Sequence, residues 1–152
     1  MPTSDVVFFK KIHSDAKEPV RLTSDSVGYD IFSLENVTLT SGAVTKVRTG
    51  ITFCICPVHF DYYPQIYDKS SVFSKGIVVL KGVVDPGYRG EIECLFMNFT
   101  NENQRFIQYQ PIAQIIFVKM ICPILKEINT DNLNTERGAR GFGEVTRNYL
   151  EK

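Results

Sequence analysis

The segment Gly82-Val83-Val84-Asp85-Pro86-Gly87-Tyr88-Arg89-Gly90 sets a carboxylate and a phenol on either side of a Pro-Gly pair. Proline pre-sets φ at the second position of a turn and glycine accepts a positive φ at the third, so the sequence predicts a type II turn closing a hairpin. A carboxylate held at a rigid hairpin tip can take a proton from water as a general base, with the Tyr88 ring as a platform beside it. The plain alternative is a structural hairpin that Asp85 merely opens. A second segment, Arg137-Gly138-Ala139-Arg140-Gly141-Phe142-Gly143, combines arginine forks and glycine N–H groups, both suited to phosphate oxygens, with Phe142 as a stacking face. Its alternatives are a solvated tail and an arginine-glycine segment that binds RNA; two Arg-Gly pairs in a neutral chain make a weak RNA signal. A third, Asp68-Lys69-Ser70-Ser71, offers a cation and two hydroxyls at a predicted helix start, where they could hold phosphate or simply form an N-cap with Asp68 or Ser70. Asp30, in Val27-Gly28-Tyr29-Asp30, adds a carboxylate near a turn. No phosphate-cradling G-x-x-x-x-G-K-S/T loop, dinucleotide fingerprint, G-x-S-x-G or H-E-x-x-H occurs.

These groups must be positioned by strands. Ile51, Phe53 and Ile55 alternate with Thr52 and Cys54, and 60–67, 77–80, 91–99 and 112–121 are β-branched or aromatic runs of strand length. Breakers at Gly42, Gly50, Pro57, Gly76, Pro86-Gly87 and the polar stretch 100–104 have the spacing of an antiparallel sandwich or barrel. Single helical turns are predicted at 68–74 and 130–134, neither long enough for a core helix. The apolar pattern stops near Asn129, and the glycine-spaced tail that follows reads as a mobile arm. The predicted organisation is a β-sandwich domain over 1–134 and a C-terminal arm over 135–152.

With 152 residues the chain has room for one core, burying about 68–70% of its extended surface without a disulfide or metal. Lys and Arg total 17 against 17 Asp and Glu, so no strong positive field is present to hold a nucleic acid or a membrane surface. At 43% hydrophobic and 22% charged the composition is that of a globular protein, with no apolar run approaching the roughly 20 residues of a membrane helix. The N-terminus lacks a signal-peptide h-region, which predicts an intracellular protein, cytoplasmic or nuclear. Cys54, Cys56, Cys94 and Cys122 are predicted to be buried apolar residues in a reducing compartment, because His13 and His59 form no spaced pair to complete a metal cage.

Taken in order, five segments resemble the motifs of the homotrimeric deoxyuridine triphosphate nucleotidohydrolases (dUTPases), from about Val6 to Thr146. Residues 27–33, V-G-Y-D-I-F-S, resemble the first motif, A-G-x-D-L-Y-S, and Lys69-Ser70-Ser71-Val72 stands where P-R-S-G/S-L is expected. Residues 82–92 are close to G-V-I-D-x-x-Y-R-G-E/N-V, the most specific match. Ile112-Ala113-Gln114-Ile115 resembles the end of G-D-R-I-A-Q-L, and residues 137–143 resemble R-G-x-x-G-F-G-S-T-G up to its last three positions.

The resemblance implies an all-β, jelly-roll-like sandwich, assembled as a homotrimer whose sites borrow motifs from all three chains. It implies Mg²⁺-dependent hydrolysis of dUTP to dUMP and pyrophosphate, lowering dUTP and supplying dUMP for thymidylate synthesis. Asp85 would be the base for the attacking water, and Asp30 would hold Mg²⁺ through a water. Lys69, Ser70, Ser71, Gln114, Arg137 and Gly143 would meet the phosphates. Backbone around Val79, Gly82, Val83 and Val84 would read uracil, Tyr88 would pack under the deoxyribose, and Phe142 would close over the base. Nucleic acid and membrane are not expected as partners.

The sequence departs from the family on the phosphate side. Lys69 replaces arginine and loses its planar fork, Asp68 replaces proline, Tyr109-Gln110-Pro111 replaces G-D-R, and Glu144-Val145-Thr146 replaces S-T-G. The alternative reading is therefore a protein of this fold serving as a binding or signalling module. Leu95 stands where related dCTP deaminases carry a catalytic glutamate, which argues against deamination.

Overall fold

The computed structural model describes residues 6–55, 62–129, 134–141 and 146. It divides into two compact units, Met1–Ile121 and Cys122–Lys152. Among its described residues the first unit holds ten strands: β1 (Phe8–Lys11), β2 (Tyr29–Phe32), β3 (Val37–Leu39), β4 (Val44–Arg48), β5 (Ile51–Cys54), β6 (Tyr62–Asp68), β7 (Ile77–Val79), β8 (Glu93–Asn98), β9 (Gln104–Phe106) and β10 (Pro111–Lys119). One helical turn, α1 (Ser70–Phe73), lies between β6 and β7. These strands pair antiparallel, in ladders ordered β1-β5, β2-β10-β6, β3-β9 and β4-β8-β7. The fold is an all-β sandwich.

Burial follows the two-residue period of a strand where one face meets the core. In β8, Cys94, Phe96 and Asn98 are buried while Leu95 is exposed. Phe96 meets Phe106 of β9 edge to face at 5.0 Å, the arrangement that the quadrupoles of two rings favour. Burying a side chain such as Phe96 stabilises the fold by about 1.5–3 kcal/mol. Asn98 is satisfied at both ends: its amide donates to Leu39 O and Glu102 O, each at 2.9 Å, and its Oδ1 accepts from Thr100 N and Oγ1.

Several expectations need correction. The alternation predicted for β5 fails, because Ile51, Thr52 and Phe53 are all buried; the strand is covered on both faces. The predicted helical turn forms over Ser70–Phe73, but its N-cap is Lys69 and makes no side-chain cap bond. Asp68 instead accepts the Val79 N–H at 2.8 Å, tying the end of β6 to β7. Of the cysteines, Cys94 is buried, with its thiol pushed up to about 12 by burial, but Cys54 is only half-buried and Cys122 is exposed. Cys122 follows β10 in the chain and begins the second unit, outside any described strand. Cys56, His59 and the helical turn predicted at 130–134 fall wholly or mainly outside the described residues.

Candidate active site

Residues 82–84 lie against β6, with Ile66 N donating to Gly82 O (3.1 Å), Val84 N donating to Pro64 O (3.0 Å), and Val83 bridged to Gln65. The chain then turns at Asp85–Tyr88, closed by Tyr88 N donating to Asp85 O at 2.9 Å. The turn is not type II: Gly87 has no positive φ, a conformation found at Gly42, Gly50, Gly76 and Gly138. Asp at the first position suits the type I alternative, which needs no positive φ at the third.

Gly82, Val83, Val84, Asp85 and Tyr88 line one cleft of about 340 Å³, together with Ile66, Ile92 and Leu95. Asp85 is exposed at this cleft, and its carboxylate has no hydrogen bond or ion pair among the described residues. Both oxygens can therefore accept from water.

Four residues that sequence reasoning assigned no role hold this edge: Gly90, Arg89, Arg48 and Glu91. Gly90 lets the Tyr88 ring lie across it, since a Cβ there would overlap the ring and hydroxyl; Tyr88 Oη donates to Glu91 O at 3.1 Å. Arg89 clamps the turn by donating to Pro86 O (2.7 Å) and Tyr88 O (2.9 Å), and reaches Ile55 O at 3.0 Å. Arg48 Nε donates to Glu91 Oε2 at 3.0 Å and its Nη2 forms an ion pair with the same oxygen at 3.0 Å, while Glu91 Oε1 accepts the Gly50 N–H at 2.8 Å. The Glu91 carboxylate raises the Arg48 pKa above its ordinary value, through that hydrogen bond first and its charge second.

A second group forms where β2, β10 and β6 lie side by side. Gln114 sits in register with Asp30 on one side and Tyr67 on the other, and its amide donates to Asp68 O at 2.9 Å. Gly28 leaves room for the Gln114 amide, since a Cβ there would overlap Gln114 Oε1 and displace it. Lys69 Nζ meets both Asp30 oxygens, Oδ1 at 2.9 Å and Oδ2 at 2.7 Å. Ser70 and Ser71 are exposed on α1. None of Asp30, Lys69, Ser70, Ser71 and Gln114 lines the Asp85 cleft. Val79 does not line it either; it is buried in the core, with its N–H taken by Asp68.

Among the described residues no group of three or more His, Cys, Asp or Glu side chains could hold a metal ion. The lone carboxylate of Asp30 fits Mg²⁺ as a hard oxygen donor if the remaining positions come from phosphates and water. In the second unit, Arg137 and Arg140 are folded into a local turn, with Arg137 Nε donating to Arg140 O (3.1 Å) and Arg140 Nε to Arg137 O (2.8 Å). Gly138 there takes φ +58, for which glycine is suited. Phe142, Gly143 and Glu144 lie outside the described residues.

Comparison with known proteins gives this geometry its context. The sequence profile described as dUTPase matches residues 14–146. A deoxyuridine 5'-triphosphate nucleotidohydrolase of Nautilia profundicola is 34% identical over 139 residues, covering 90% of this chain and 95% of the relative. A mutant dUTPase of Staphylococcus bacteriophage 80alpha, solved with dUpNHpp, superposes with a TM-score of 0.81 at 24% identity, over 93% of this chain and 99% of that one. A mutant dUTPase from phage phi11 of S. aureus, described as coordinating a structural Mg(II) ion, gives 0.77 at 21% identity, over 84% and 99%. The structural likenesses establish the fold, and the profile match with the Nautilia relative establishes the family. This chain belongs to the dUTPase family.

Proposed function

We propose that the protein hydrolyses dUTP to dUMP and pyrophosphate, with Asp85 as the general base. The observation that carries this reading is the unpartnered Asp85 carboxylate beside Tyr88 in the cleft of about 340 Å³, in a chain of this family. Asp85 takes a proton from a water whose oxygen bonds to the α-phosphorus. The bond from that phosphorus to the α,β-bridging oxygen breaks, and pyrophosphate leaves with the electron pair. A fixed carboxylate contributes by holding the water in line and accepting its proton in the transition state.

Tyr88, backed by Gly90 and the Glu91 carbonyl, packs under the deoxyribose and leaves no room for a 2′-hydroxyl. Backbone around Gly82, Val83 and Val84 reads the uracil edge. Lys69, Ser70, Ser71, Gln114, Arg137 and Gly143 hold the phosphates, and Phe142 closes over the base from an arm of residues 135–152, excluding water. Asp30 holds Mg²⁺ through a water, and the metal supplies neutralisation of the triphosphate charge. The protein acts as a homotrimer with shared sites, a reading supported by the fact that Asp30, Lys69 and Gln114 do not line the Asp85 cleft of their own chain.

The test is pyrophosphate release from dUTP, dTTP, dCTP and UTP, with Mg²⁺ and with chelator. Release selective for dUTP is expected, lost with chelator and reduced at least about a hundredfold in Asp85→Ala. Equal turnover of dTTP would overturn the selectivity, and an active Asp85→Ala would overturn the assignment of the base.

A further inference from the structure

The residue proposed to serve the metal and a residue proposed to serve the phosphates are bonded to each other. Both Asp30 oxygens accept from Lys69 Nζ, and the side chains retain only 11% and 23% of their exposure. An exposed pair of this kind would come apart at little cost, but a shielded one separates only when each partner is offered a replacement. We infer that Asp30 latches Lys69 away from the triphosphate until a metal arrives with the nucleotide, so that this one ion pair makes triphosphate binding metal-dependent. The inference rests on the dUTP reading above.

Charge sets the direction. While the pair is closed, the Lys69 charge is neutralised, and a metal-free triphosphate approaching it also meets the Asp30 carboxylate. A cation gives Asp30 a new partner and leaves the ammonium free to donate to phosphate oxygen. The residue type sharpens the choice: an arginine fork has five donors spread over a plane and could serve carboxylate and phosphate together, whereas the compact Lys69 ammonium has three, two of them committed to the Asp30 oxygens.

The experiment is calorimetric binding of the non-hydrolysable analogue dUpNHpp, with Mg²⁺ and with chelator. It compares the wild-type protein, Asp30→Asn and the double variant Asp30→Asn/Lys69→Met. The wild type should bind much more weakly in chelator. Asp30→Asn should gain about tenfold in chelator, the worth of one charge-assisted hydrogen bond, and the double variant should lose that gain. No gain in Asp30→Asn would overturn the latch. A gain that survives in the double variant would do so too, because it would come from removing a negative charge and not from freeing Lys69. Should the variants fail to fold, the ¹⁵N resonance of the Lys69 ammonium in the wild type decides. It should shift with Mg²⁺ and dUpNHpp together, and an equal shift with dUpNHpp in chelator overturns the proposal. Wild-type protein that binds no dUpNHpp even with Mg²⁺ overturns the dUTP reading and the latch together; binding with Mg²⁺ but without the Asp30→Asn gain overturns the latch alone.

Discussion

Tyr88 owes its place to a residue with no side chain. Its ring lies where a Cβ on Gly90 would be, and its hydroxyl is fixed on the Glu91 carbonyl, whose carboxylate is in turn held by Arg48 and the Gly50 N–H. Gly90→Ala is therefore expected to push the ring aside without straining the backbone, because Gly90 does not use a positive φ. The change should cost about tenfold in kcat/KM for dUTP and narrow its preference over UTP, while stability moves by less than about 1 kcal/mol. Steady-state kinetics on both nucleotides and a thermal melt check this; an unchanged dUTP/UTP ratio would mean the ring has another support. The candidate residues of this edge were easy to pick out in the sequence, since Asp85 and Tyr88 stand in one short run with their turn. Their supports were not. Arg89 reaches Ile55 O and Arg48 reaches Glu91, contacts 34 and 43 residues apart that no local pattern announces.

At the scale of elements, the strands with a continuous apolar run were visible and the polar-mixed ones were not. β6, β7, β8 and β10 coincide with runs of β-branched and aromatic residues, whereas β3 and β9 have three residues each, and β4 mixes Val44 and Val47 with Lys46 and Arg48. Such strands are fixed by partners across the sheet, here Lys46 with Glu93 at 3.0 Å and Arg48 with Glu91, not by their own period. β5 misled for the opposite reason: alternation implies one wet face, and this strand has none. One consequence is Thr52, 4% exposed, whose Oγ1 has no hydrogen-bond partner among the described residues. Replacing that hydroxyl with a methyl of similar size removes an unsatisfied group, so Thr52→Val should stabilise the protein by about 1 kcal/mol. A melting temperature higher by about 2–4 °C is the expected readout. A lower one would show that the hydroxyl is bonded in solution. Asp68 shows the same dependence on long-range context: where the family motif has proline, its carboxylate holds the Val79 N–H and its carbonyl holds Gln114.

At the scale of the whole molecule, the arrangement of the candidate residues bears on how many chains make a site. The cleft that holds Asp85 and Tyr88 is lined by neither Asp30 nor Lys69 nor Gln114, although all five are expected to meet a single nucleotide. The same cleft leaves Val83, Tyr88 and Leu95 exposed, at 64%, 46% and 42%. The shared site proposed above would account for both facts, with a neighbouring chain bringing its Asp30 group to this cleft and covering its apolar rim. Mixing then becomes the decisive measurement. Asp85→Ala chains have intact Asp30 groups, and Asp30→Ala chains have intact Asp85 clefts, so each variant alone should be inactive at every site. When the two are unfolded together in equal amounts and refolded, about a quarter of the composite sites should combine a wild-type Asp85 with a wild-type Asp30 if chains assort at random. Activity should rise to about a quarter of the wild-type value, in particles of three times 17.3 kDa by sedimentation. Refolded mixtures as inactive as their components would place Asp30 and Asp85 of one chain in the same site and overturn the shared-site arrangement, whatever the oligomeric state proved to be.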